Sequence, residues 1–127
     1  MKPIYLLEII LYVEDMQSQV IFYRDVMGLE IDQPSGLTDY SAVDWVTFKT
    51  GACSLALHSG GQRRFGEDAP KFVFSVNDIN LSRDYLISRG VEMSGIRTAA
   101  PGIKVCDGCD PEGNSFSIES RNQSVYG

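Results

Sequence analysis

No apolar run in this chain approaches the ~20 residues a bilayer-spanning helix needs; a typical one, Ile9–Leu11, is flanked by Glu8 and Tyr12. Met1-Lys2-Pro3-Ile4 leads straight into a strand-like stretch with no leader-type apolar segment and small-residue cleavage site, so no secretory signal is expected. Positive charge is in short supply. Eleven Lys and Arg face 17 Asp and Glu, and the formal charge of −6 repels a phosphate backbone, so nucleic acid is not an expected partner. Cysteine is scarce and odd in number, with two of three at Cys106 and Cys109, which argues against a disulfide framework. There is no Gly-x-Ser-x-Gly elbow, P-loop or dinucleotide-type Gly-rich fingerprint. What is present is ordinary: 127 residues, 43% hydrophobic and 22% charged, which fit one soluble domain. A reduced, cytoplasmic protein with no membrane partner is the expectation.

The chain repeats itself. Val13, Asp15 and Phe22 recur as Val76, Asp78 and Tyr85 at a spacing of 63. Gly28 and Glu30 recur as Gly90 and Glu92 at 62, and Leu55-Ala56-Leu57-His58 aligns with Phe116-Ser117-Ile118-Glu119 at 61. A spacing this constant over half the chain indicates two copies of one supersecondary unit. In the first copy, Ile9, Leu11 and Val13 alternate with Glu8, Ile10 and Tyr12, the period of a two-faced strand. Asp15 has the chemistry of a helix N-cap, and Met16, Val20, Tyr23 and Met27 recur at helical spacing. Gly28 then offers the left-handed conformation that closes a helix. The second copy runs from Asp78 to Gly90, with Leu81, Tyr85 and Leu86 expected toward the core.

Further along each copy, Trp45–Lys49 and Cys53–His58 read as a strand pair turning at Thr50-Gly51-Ala52. Gly102–Asp107 and Ser115–Ser120 read as a second pair joined through Asp110-Pro111-Glu112-Gly113-Asn114. Residues 59–69, rich in Gly and polar side chains, read as a linker, and 121–127 as a frayed tail.

Phe22-Tyr23-Arg24-Asp25-Val26-Met27-Gly28-Leu29 resembles the helix end of the glyoxalase/bleomycin-resistance/dioxygenase superfamily, the vicinal oxygen chelate (VOC) proteins. Asp110-Pro111-Glu112-Gly113-Asn114 resembles the turn before that family's last strand. The resemblance implies an α+β fold of two βαβββ modules, here 4–58 and 70–120, forming a curved sheet around a shared cavity within a single domain, 1–127. It implies a small organic ligand and a homodimer. Members include glyoxalases, extradiol dioxygenases and metal-free drug-binding proteins, so the family does not fix the reaction.

In metal-dependent members, His or Glu ligands project from the first and last strand of each module. The matching positions here are Glu8, Ala56, Lys71 and Ser117. An ammonium has no lone pair and an alanine no donor atom, so no metal and no cofactor is expected. A divalent metal held by Glu8, His58 and Glu119 is the fallback, since His58 and Glu119 lie two residues beyond Ala56 and Ser117 on the same strand faces. If the protein is instead an enzyme, a metal-dependent lyase or isomerase of lactoylglutathione-lyase type or a dioxygenase relative, the same three residues are its catalytic candidates. Alternation assigns the ligand-binding face Glu8, Tyr12, His58, Lys71, Ser117 and Glu119, with Ile10, Ala56 and Val73 between them.

Every candidate has a plainer reading. His58, the only histidine, fits a strand end facing solvent, and Glu8 with Lys71 fits a simple charge pair. Arg63 and Arg64 attract an anion or merely solvate the linker. Trp45 lies on a strand face whose orientation the sequence leaves open. Cys106-Asp107-Gly108-Cys109 spells a redox or zinc motif, but it leads into a turn and a strand rather than opening a helix.

Overall fold

Alternation in the first strand and an aspartate just past its end set the pattern of the whole molecule. A computed structural model describes residues 1–2, 4, 6–60 and 70–121, and the chain divides into two compact units, Met1–Arg64 and Phe65–Gly127. The first holds β1 (Glu8–Val13), α1 (Met16–Ile21), β2 (Glu30–Gln33), β3 (Trp45–Lys49) and β4 (Ser54–Ser59). The second holds β5 (Phe72–Ser75), α2 (Ile79–Ser88), β6 (Arg97–Ala100), β7 (Ile103–Cys109) and β8 (Ser115–Arg121). The first sheet has the order β1-β4-β3-β2 and the second β5-β8-β7-β6, each with one parallel outer pair and two antiparallel pairs. Two copies of one βαβββ unit are therefore present, as the repeat implies.

Both helices start as the sequence dictates. The Asp15 carboxylate accepts the Ser18 amide at 3.1 Å, and Asp78 accepts the Leu81 amide at 3.1 Å, each satisfying a donor the first turn leaves unpaired. Both stop at a glycine with positive φ, Gly28 at 75° and Gly90 at 84°. After Gly90, Val91 N–H bonds Leu86 O and Gly90 N–H bonds Ile87 O, a Schellman closure. The first copy closes one residue wider, with Leu29 N–H on Tyr23 O. The extra residue sits in a π-helical turn, Phe22–Val26, which continues α1. This accounts for the fall in repeat spacing from 63 before the helix end to 62 after it.

The helix-facing side of each sheet is the core. In the first unit it is Val13, Val46, Phe48, Leu55 and Leu57, with Met16, Val20 and Tyr23 from the helix, all buried. Tyr23 and Phe48 rings lie 6.1 Å apart. In the second unit Cys106, Phe116 and Ile118 lie on the sheet, with Ile79 and Leu86 from α2. Here one expectation fails. Leu81 is 68% exposed and Tyr85 44% exposed. The inward stripe of α2 is Ile79, half-buried Ser82 and Arg83, then Leu86; Leu81 lies about 200° around the helix from Ile79. Arg83 serves packing by donating from Nε to the Ser94 carbonyl at 2.7 Å.

The turns carry their own chemistry. Asp110 Oδ1 accepts the amides of Glu112 and Asn114, both at 2.9 Å, while Asn114 Nδ2 donates to Oδ2 at 2.8 Å. Gly113 has a φ of 86° and its amide reaches Asp110 O at 2.9 Å. Gly51 turns β3 into β4 at a φ of 99°. Strand ends shift by a residue or two from expectation: β4 runs to Ser59, β7 to Cys109, and β8 takes in Arg121, which the sequence reading assigned to the tail. The short strands β2 and β6 are the first of the three strands that the βαβββ expectation puts after each helix, although no residue pattern locates them. The rest of the linker, including Arg63 and Arg64, lies outside the described residues from 61 to 69, as does the tail beyond 121.

Candidate functional site

Residues paired across a ladder point to the same face of a sheet, so the register fixes what each open face displays. On the first sheet, Glu8 pairs with Ser54 and Ser54 with Lys49; Ile10 pairs with Ala56 and Ala56 with Thr47; Tyr12 pairs with His58 and His58 with Trp45. All of these lie opposite the core side. Glu8, Ile10, Tyr12, Ala56 and His58 thus share one face, as alternation requires, and Trp45 joins them. Ile10 is 40% and Tyr12 62% exposed.

Tyr12, His58 and Trp45 form one rung across β1, β4 and β3. The Tyr12 and His58 ring centroids are 5.2 Å apart with planes inclined at 41°, and those of Trp45 and His58 are 5.7 Å apart at 82°. Both separations suit attractive aromatic contact. His58 Nδ1 lies 2.7 Å from the Ser59 carbonyl oxygen. A carbonyl only accepts, so Nδ1 carries the proton, and in the neutral ring Nε2 is left with its lone pair. Ser59 is itself held, its hydroxyl donating to Asp44 at 2.9 Å and its amide to the Asp44 carbonyl at 2.9 Å. His58 is an exposed strand-end residue, as its plainer reading has it, yet it has aromatic rings on both sides.

The second sheet shows different chemistry at its open face. Val73 pairs with Ser117 and Ser117 with Asp107; Ser75 pairs with Glu119 and Glu119 with Val105. Ser117 is fully buried, and its hydroxyl donates to Asp107 at 2.5 Å. Arg97 grips the same carboxylate with both terminal nitrogens, at 2.5 and 3.3 Å, and Lys71 Nζ lies 3.4 Å away. The Arg97 hydrogen bond above all, with help from Ser117 and the Lys71 charge, holds Asp107 down at about 2 against the opposing effect of partial burial. Lys71 thus finds its carboxylate inside its own unit. Glu119 accepts from Arg121 Nε at 2.5 Å. The sequence reading missed Asp107 and Arg97; the signal available was Asp107's position on β7 opposite Ser117, which only the strand register reveals.

The donor set does not fit the metal that the family resemblance brings to mind. Of the four matched positions, Ala56 offers no donor, Lys71 is a paired ammonium, and Ser117 already spends its hydroxyl proton on Asp107. The fallback set fails on the ladder. Glu8 stands at the Ser54 rung and His58 four residues further along β4, about 13 Å at ~3.3 Å per residue, so these two cannot bind one ion. Among the described residues no three His, Cys, Asp or Glu side chains gather as a metal-binding group.

The Cys-x-x-Cys spacing is likewise inert. Three residues apart on β7, Cys106 and Cys109 face opposite sides of the sheet, Cys106 buried and Cys109 exposed, and both are free thiols. Burial pushes the Cys106 thiol up. Among the described residues no helix is long and apolar enough to cross a membrane.

No family model and no curated protein sequence matches the chain. Solved structures do. A lactoylglutathione lyase from Agrobacterium tumefaciens superposes with a TM-score of 0.70 at 23% identity, over 93% of this chain and 94% of that one. TnmS3, an antibiotic-binding protein from Streptomyces sp. CB03234, gives 0.71 at 21% identity, over 96% and 98%. An integron cassette protein from the mobile metagenome of the Halifax Harbour sewage outfall gives 0.70 at 22% identity, over 93% and 99%. At such identities the likeness is one of fold, and it extends nearly end to end.

Proposed function

From the glyoxalase-like α+β fold, two βαβββ units in one chain, we propose that this protein binds a small organic molecule without a catalytic metal. The observation that carries this reading is the open face of the first sheet, where Tyr12 and Trp45 flank His58 instead of being buried. Aromatic rings with one well-placed polar atom are the usual lining of ligand sites. The ligand has an aromatic or apolar part suited to Tyr12 and Trp45 and a polar part suited to the ring nitrogen of His58. That an antibiotic-binding protein shares the fold supports a small-molecule ligand. The protein works as a homodimer in the cytoplasm, a reading that rests on the family resemblance and on its unpaired thiols.

Thermal-shift screening of a broad metabolite and antibiotic set tests the reading. A specific ligand raises the melting temperature by mass action, by the equivalent of ~2.7 kcal/mol at 100 times its Kd. Stabilisation by no member of the set favours a vestigial face. Metal analysis of the purified protein gives the other decisive result: stoichiometric Ni, Zn, Mn or Fe, lost in Glu8→Ala, overturns the metal-free reading in favour of a lyase or isomerase.

A further inference from the structure

We propose that the Tyr12–His58–Trp45 rung selects planar aromatic ligands that carry a hydrogen-bond donor at the ring edge, such as a phenol or a cyclic imide, with His58 Nε2 as acceptor. The inference rests on the ligand-binding reading and narrows it to a chemical class.

Three features of the rung combine. The Ser59 carbonyl fixes the proton on Nδ1, so neutral His58 presents a hydrogen-bond acceptor and not a donor. Asp44 holds Ser59 through both its hydroxyl and its amide, which keeps that carbonyl in place. The Trp45 plane stands at 82° and the Tyr12 plane at 41° to the imidazole. A donor must approach Nε2 within the imidazole plane, whereas a ligand ring gains most by lying against Trp45 or Tyr12, out of that plane. A flat ring with its donor at the edge meets both demands. An apolar ring leaves Nε2 to water, and a ring bearing only acceptors meets its lone pair head-on.

The rung contains the only tryptophan and the only histidine of the chain, so each gives a single, self-assigned resonance. Titration of the full chain with 2-naphthol and with its methyl ether, 2-methoxynaphthalene, is followed through the Trp45 indole N–H and the His58 ring nitrogens. The pH is kept mildly alkaline, where an imidazole is ordinarily neutral. 2-Naphthol is expected to shift both side chains saturably and to bind about five- to tenfold tighter than the ether, the value of one net hydrogen bond. His58→Phe keeps an aromatic ring and removes the acceptor, so it should bring 2-naphthol down to the affinity of the ether and leave the ether unchanged. Equal affinity of the two probes, a proton found on Nε2 in the free protein, or binding that leaves the Trp45 signal unmoved would each overturn the proposal. In the last case thermal stabilisation by the same probes keeps the broader ligand-binding reading alive; its absence with the whole ligand set removes both.

Discussion

Asp107 shows how much chemistry one residue can gather. With Arg97, Ser117 and Lys71 all directed at it, its carboxyl sits at about 2 in the folded protein against an ordinary 3.8. A depressed folded value means that the stabilisation is complete above about pH 4 and is lost as pH falls toward 2. The side chain remains 37% exposed, so solvent screening limits the effect to about 1 kcal/mol. Urea denaturation of the native protein and of Asp107→Asn should differ by about that amount at pH 6 and converge near pH 2. Thiols make a second case at this scale. A thiol reagent applied to the folded protein should modify exposed Cys109 and spare Cys106 until the chain unfolds; equal rates at both would contradict the burial of Cys106. The sequence drew attention to the cysteines of Cys106-Asp107-Gly108-Cys109 and hid the aspartate between them. An acid on an alternating strand looks like any solvated residue until its cross-strand neighbours are known.

Among the elements, α2 illustrates where periodicity misleads. Leu81, Tyr85 and Leu86 form a plausible apolar stripe, yet the sheet takes Ile79 and Leu86 and leaves the other two in water. Leu86→Ala should cost ~2–4 kcal/mol and Leu81→Ala no more than ~0.5, measured by denaturant titration. β7 offers a second test. A methyl group on Gly108 would lie 2.6 Å from Met93 Sδ and 3.0 Å from Phe116 Cζ, and Phe116 is fully buried. Met93 bridges to Gly108 as Ile31 pairs with Phe48 in the first unit, so the second unit fills with Met93 and Phe116 the volume that Phe48 occupies in the first. Gly108→Ala should therefore destabilise by ~1–3 kcal/mol, whereas Cys109→Ala, one residue on, should be nearly silent. Caps, glycine stops and the Asp110–Asn114 turn were legible because each is decided by local chemistry. Edge strands β2 and β6 were not, since four polar-rich residues held by a single neighbour leave no period to detect.

For the molecule as a whole, the repeat carried the fold: a constant spacing implied two equal units, and both sheets have the same strand order. The site was legible only in part. Faces follow from alternation, but which residues meet depends on register, which separated Glu8 from His58 and joined His58 to Trp45. Exhaustive dialysis against a chelator should leave the melting temperature and any ligand-induced rise in it unchanged. A fall restored by one added divalent cation would return the metal-dependent reading.

Where the ladders overlap, positions on one sheet have twins on the other: Ser75, Glu119 and Val105 stand where the first sheet has Tyr12, His58 and Trp45. Backbone duplicated and side chains did not. One copy can therefore be rewritten for recognition while the other keeps an independent vocabulary, and a three-residue graft from the first sheet to the second has a defined landing place before any design begins.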